Sequence, residues 1–190
     1  MSGAKVRVWD LPTRLFHWLL VVGVAATWAT GELGKLELHF LLGYAVLGLL
    51  AFRLLWGFVG APTARFAQFV KGPQAAIGYL RYRLGRADGV EPPLGHNPLG
   101  GWMVVALLLV LLIQATTGLF ATDDVATDGP LVSYVSSKTA ALLSTIHRVE
   151  AKLLLALVLI HVGAVYAYLK LFGENLVRPM ITGWKATENK

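Results

Sequence analysis

Four long apolar stretches divide the chain, at about residues 11–30, 38–60, 99–121 and 149–172. Each is close to the roughly 20 residues that a helix needs to cross a bilayer. The first opens on Asp10-Leu11-Pro12, an N-cap residue followed by proline in the first turn. Its basic start and apolar middle raise the question of a signal peptide. Against that, it carries His17 and two tryptophans, and no clear small-x-small cleavage site follows. It reads as a retained helix. The pattern predicts an all-α fold, a four-helix integral membrane bundle formed by residues 1–190 as a single domain. The inner loop at 61–98 mixes aromatics with cations in Arg65–Val70 and Ile77–Arg83, which suits short helices lying in the membrane interface. The loop at 122–144 is acidic at first, then rich in Ser, Thr and Ala.

Composition agrees. Of the 190 residues 56% are hydrophobic and only 15% charged, and the mean hydropathy is +0.61. A soluble domain has about 45–50% apolar and about 25% charged residues. There is no cysteine, so disulfides, iron–sulfur clusters, thiolate zinc sites and covalent haem are excluded.

The net charge of +6 is explained by topology. With the termini and the central loop on one side, that side holds thirteen of the 17 Lys and Arg residues and the other only Lys35, Lys138, Arg148 and Lys152. Acids divide five and six, giving +8 against −2. This positive-inside bias predicts that both termini are cytoplasmic. Nucleic acid is not needed as a partner.

The histidines carry the chemistry. Ionisable residues at membrane depth are costly and by default mark function. His147 and His161 are fourteen residues apart on one predicted helix, so they differ by about 40° in direction and about 21 Å in height. His39 and His147 both fall near the outer surface, and His17 and His161 both lie towards the inner one. Matched pairs on different helices can each supply two axial ligands to one haem, which stacks two b-type haems across the membrane. Gly43, one turn from His39, together with Gly48 and Gly163, offers the close approach that a wide macrocycle needs. A lone intramembrane histidine is more often a packing residue, but two depth-matched pairs are hard to assign to packing. Zinc would need three or four ligands at one depth. A proton relay would use carboxylates, and the apolar cores are expected to hold none. Arg14 and Arg148 are candidate partners for haem propionates, whereas Arg53 is expected to snorkel to lipid headgroups. Gln114, Thr116 and Thr117 are expected in helix–helix hydrogen bonds, and His96, in Gly95-His96-Asn97-Pro98, in a turn capping the third helix.

Three segments resemble a known family: Val8-Trp9-Asp10-Leu11-Pro12-Thr13-Arg14-Leu15-Phe16-His17-Trp18, Gly95-His96-Asn97-Pro98-Leu99-Gly100-Gly101-Trp102-Met103 and Glu174-Asn175-Leu176-Val177-Arg178-Pro179-Met180-Ile181-Thr182-Gly183. Together they are similar to the prokaryotic cytochrome b-561 and nickel–iron hydrogenase b-type subunit family, over nearly the whole chain. The resemblance implies a di-haem membrane cytochrome b of the respiratory chain, with His17, His39, His147 and His161 as iron ligands. It also implies electron transfer between the quinone pool and a redox partner. Because the sequence stops shortly after the fourth stretch, a short generic di-haem subunit is expected rather than a hydrogenase partner.

The expected function is therefore transmembrane electron transfer between quinone and a periplasmic redox protein such as a cytochrome c or a dehydrogenase. The surroundings are lipid, and a homo-oligomer is allowed. A stand-alone superoxide:quinone oxidoreductase is the first competitor, with basic residues of the outer face attracting the anion. A non-redox anchor or transporter is the second.

Overall fold

The computed structural model describes residues 5–88, 93–122 and 127–186. Glu91, Asp123, Asp124, Glu188 and Lys190, which entered the charge count, lie outside the described residues. Among the described residues seven α-helices follow one another: α1 (Leu11–Glu32), α2 (Leu36–Val59), α3 (Phe66–Phe69), α4 (Pro73–Arg83), α5 (Pro98–Gly118), α6 (Ser137–Phe172) and α7 (Val177–Thr182). Two short strands, β1 (Lys5–Arg7) and β2 (Trp184–Ala186), pair antiparallel with Lys5 opposite Ala186. This small sheet has no counterpart in the hydropathy pattern, which cannot show three-residue strands.

Helices α2, α5 and α6 are long and apolar enough to cross a membrane. Helix α1 has the length, at 22 residues, but is not among them. Arg14, His17, two tryptophans and three threonines dilute its apolar character. Many large apolar side chains point outward, among them Val22, Leu55 and Leu159, as expected where the surrounding solvent is hydrocarbon rather than water.

One boundary departs from the expectation. Helix α6 begins at Ser137, not near Val149, so its first three turns occupy what the sequence marked as loop. Ser136 starts it by accepting the Thr139 N–H on its Oγ at 3.2 Å. The following Lys, Ala and Leu residues favour helix. The hydroxyls of Ser144 and Thr145 are satisfied by the carbonyls of Ala140 and Ala141 one turn back, a bond open to Ser and Thr inside helices.

The chain divides into two compact units, Met1–Phe16 with Arg53–Ala106 and His161–Lys190, and His17–Phe52 with Leu107–Ile160. In the first unit Asp10 caps α1 by accepting the Thr13 N–H, and its other oxygen accepts the Trp56 indole N–H at 2.8 Å. The backbone N–H groups of Val8 and Trp9 donate to Gly183, which extends the terminal pairing. Arg53 does not snorkel. It is 3% exposed, donates to the Ala64 carbonyl at 3.1 Å and lies over the Phe66 ring at 4.8 Å. Gly57 and Gly101 make this closure fit, since a Cβ at either would strike the Phe66 ring or the Phe69 backbone. The segment after α2 is thereby folded onto α2 and α5.

A second clamp joins α4 to the chain after α6. Arg83 lies over the rings of Tyr79, Tyr168 and Phe172 and, with Lys185, holds Glu174 at 2.6 Å from each partner. Burial opposes the charge on Glu174, but the bonds from Lys185 and Arg83 outweigh it and hold its carboxyl below the usual range. A depressed carboxyl contributes stability above its unfolded pKa and loses it as pH falls through the folded value. Glu174→Gln should therefore lower the melting temperature of the detergent-solubilised protein by a few degrees at pH 7, corresponding to about 1–2 kcal/mol. The gap from wild type should hold between pH 6 and 8 and close as pH falls below about 4. A gap unchanged down to that pH would show that the clamp does not act through this charge.

Candidate functional site

In the second unit the imidazole of His39, on the first turn of α2, meets that of His147 on α6. Their ring centroids are 6.2 Å apart and the planes are inclined at 85°. Each ring is anchored the same way. His39 Nδ1 lies 2.9 Å from the Thr27 carbonyl, and His147 Nδ1 lies 2.9 Å from the Gln114 carbonyl. A carbonyl oxygen only accepts, so Nδ1 carries the proton in both rings and Nε2 keeps its lone pair. A backbone carbonyl behind Nδ1 is the usual support of a metal-ligating histidine, because it fixes both tautomer and ring direction.

The two anchors are built alike. Three residues after each accepting carbonyl stands a threonine, Thr30 or Thr117, whose Oγ1 donates back along its own helix to Ala26 and Thr27, or to Ile113 and Gln114. Four residues after it stands a glycine, Gly31 or Gly118. A Cβ at Gly31 would come within 3.2 Å of His39 Nδ1, and one at Gly118 within 2.9 Å of His147 Cε1. The ends of α1 and α5 thus present the same seat, carbonyl, threonine and glycine on one turn, to an incoming imidazole. Sequence reasoning missed these residues. The available signal was Thr-Gly near the end of two apolar stretches, at Thr30-Gly31 and Thr117-Gly118.

Gln114 was expected between helices, and it does cross to α6, where its amide Nε2 donates to His147 Nε2 at 3.3 Å, on the lone pair that a metal would have to take over. Thr117 Oγ1 also approaches His147 Nδ1 at 3.4 Å, while Thr116 bonds only its own helix, at Leu112 and Ile113. A Cβ at Gly43 would meet nothing within 4 Å, and the same is true of Gly48 and Gly163. Arg148 is exposed and reaches only Thr145 Oγ1, at 3.4 Å. Glu150 corrects the expectation that no carboxylate lies in an apolar stretch. It is 8% exposed on α6, and its Oε2 is buried without a partner among the described residues.

His17 and His161 fall in different units and are placed separately. His17 sits on the second turn of α1, edge-on to Trp18 at 5.0 Å. His161 is half-buried on α6, which carries both it and His147 without a break. Arg14 donates from Nη1 to the Ile181 carbonyl, and its Nε is buried without a partner among the described residues. His96 packs between Trp9 and Phe69 at 4.6 and 4.8 Å. The turn caps α5 as expected, through Asn97, whose Oδ1 accepts the Gly100 N–H at 2.8 Å.

Among the described residues the chain has three helices able to cross a membrane and one close pair of Nδ1-anchored imidazoles, the features of a helical membrane protein. It belongs to the prokaryotic cytochrome b561 family, whose model matches residues 8–183. It is thus a bacterial membrane b-type cytochrome of electron transfer, a class that binds b-type haem. No curated protein matches the chain closely enough to be counted a relative.

The residues present fit such a group. Two metal–nitrogen bonds of about 2 Å and two imidazole half-widths of about 1.1 Å would span roughly 6.2 Å, close to the observed separation of the His39 and His147 rings. The seats should therefore govern retention of haem. Gly118→Val should push His147 off the Gln114 carbonyl and lower the pyridine-haemochrome haem-to-protein ratio towards half of wild type. Gly31→Ala, with a looser contact, should keep most of it. Wild-type haem content in both variants would show that the seats do not position the ligands.

Proposed function

We propose that this chain is a di-haem electron carrier that crosses the inner membrane four times with both termini in the cytoplasm. On this reading it links a periplasmic redox partner to the quinone pool. The pairing of β1 with β2 supports the topology, because chain ends that pair must lie on one side of the membrane and so require an even number of crossings. Three helices are apolar enough to span, and α1 is the one remaining helix of sufficient length. The charge bias of the sequence makes the shared side the cytoplasmic one.

The observation that carries the haem assignment is the opposed, Nδ1-anchored pair His39 and His147. These are the axial ligands of the outer haem. His17 and His161 are the candidates for the inner haem, from their positions along the sequence and the in-register spacing of His147 and His161 along α6. A bis-imidazole haem supplies one-electron transfer with no open coordination position. The protein's own residues fix the ligand tautomer, keep water from the apolar interior and set the local charge. Gly43 leaves room beside the outer pair. Arg148 and Arg14 are suited to pair with propionates of the outer and inner haem. Arg148 is held only weakly by Thr145, and Arg14 retains an unsatisfied Nε after tying down Ile181. A quinone is the lipid-soluble electron donor or acceptor.

The purified protein should show a sharp b-type α-band on dithionite reduction and about two haems per chain. His161→Ala should remove one haem and leave the other, and His147→Ala should remove the complementary one with a distinguishable α-band. A reduced spectrum without the α-band would end the haem reading. Full haem retention in both variants would overturn the ligand assignment.

A further inference from the structure

The buried face of α6 is narrow. Ala140, Ser144, Glu150 and Leu154 are its buried residues. At 100° per residue all four point within about 60° of the His147 direction, and His161 within about 40°. Glu150 therefore shares the ligand-bearing side of the helix. It lies about 4.5 Å along the axis from His147 and about 16 Å short of His161. A carboxylate in an apolar interior is costly unless paired, yet Oε2 has no hydrogen-bond partner among the described residues. Packing alone does not call for a carboxylate there, since Gln or Leu would fill similar space without that cost.

The other elements of this unit bring few ionisable groups. Its part of α5 has none, that of α2 has Glu37, His39 and Tyr44, and that of α1 has His17 and Glu32. Tyr44 is exposed, Glu32 and Glu37 sit at the outer helix ends, Lys35, Asp128 and Tyr134 in the connecting segments are exposed, and so are Lys138, Arg148 and Lys152 on α6. No described lysine or arginine is paired with Glu150. The charge it responds to most strongly is then the charge that changes beside it. An added electron in a low-dielectric interior raises the proton affinity of a carboxylate about one helical turn away.

We propose that Glu150 is the proton-accepting group coupled to the outer haem. When that haem gains an electron, from quinol or from the periplasmic partner, the carboxylate binds one proton from water. When the electron leaves, the proton is released. One electron and one proton enter together, and no covalent bond to carbon breaks. The site thus moves net hydrogen, which suits exchange with a quinone, whose two-electron reduction takes up two protons. This proposal rests on the di-haem reading above.

The test is a spectroelectrochemical titration of the α-band between pH 5.5 and 8.5, in wild type and in Glu150→Gln. Each is also made in a His161→Ala background, which isolates the outer haem. Full coupling changes the reduction equilibrium tenfold per pH unit, or 59 mV for one electron. The wild-type outer haem should approach that slope over part of the range, and Glu150→Gln should flatten it while leaving the α-band in place. A missing α-band would defeat the haem reading itself. A wild-type potential independent of pH, or a slope that Glu150→Gln leaves unchanged, would defeat only the role of Glu150. If Glu150→Gln fails to assemble, the wild-type infrared redox difference spectrum decides. A protonated-carboxyl band must appear on reduction, and its absence overturns the proposal.

Discussion

Inside a membrane no water is present to satisfy an imidazole, so each ring must find its partner in the protein. His39 and His147 find it in a carbonyl of another helix, at Thr27 and Gln114. That single bond has three consequences. It removes the cost of burying the ring N–H and decides which nitrogen keeps a lone pair. It also ties the start of α2 to the end of α1, and α6, three turns in, to the end of α5. Carbonyls inside a regular helix already accept one bond, and an oxygen with two lone pairs can take a second. The seat thus costs the helices no bond of their own.

The seat also explains the small residues beside it. An imidazole can reach a helix carbonyl only where the turn above carries no side chain, and Gly31 and Gly118 supply that gap. Thr30 and Thr117 turn their hydroxyls back on their own helices, so the wall of the gap is formed without exposing a polar group to hydrocarbon. Leucine at these positions would give a more apolar helix and a worse site. The same compromise is visible in α1 as a whole. Its histidine, threonines and tryptophans keep it from being as apolar as α2, α5 and α6.

The long helices were legible because length and hydropathy act over twenty residues, where chance fluctuations average out. The meeting of His39 with His147 was legible because depth along a straight helix follows from residue count. The early start of α6 was not, since Ser, Thr and Ala suit an exposed helical turn as well as a loop, and only the Ser136 cap decides. Arg53 was misread for a related reason. A cation near a helix end has two ways to be satisfied, headgroups or folded backbone, and the choice depends on Phe66 and Ala64 closing over it. The seats depend on which face of α1 and α5 meets a histidine, which one sequence does not state.

The first unit and the second solve different problems with different interactions. The first holds its parts with charge: Asp10 on Trp56, Arg53 on Ala64, and Arg83 and Lys185 on Glu174. Each of these charged groups finds at least one hydrogen-bond partner as it is buried. The second unit holds its histidines as neutral rings through neutral carbonyls. In the proposed function that division has a physical reason. A fixed countercharge beside an electron carrier would favour one redox state permanently, whereas a carbonyl dipole orients the ligand and leaves the balance to be set by a group that can gain or lose a proton. Glu150 is the one buried carboxylate among the described residues of that unit, and its lack of a fixed partner is what such an arrangement requires.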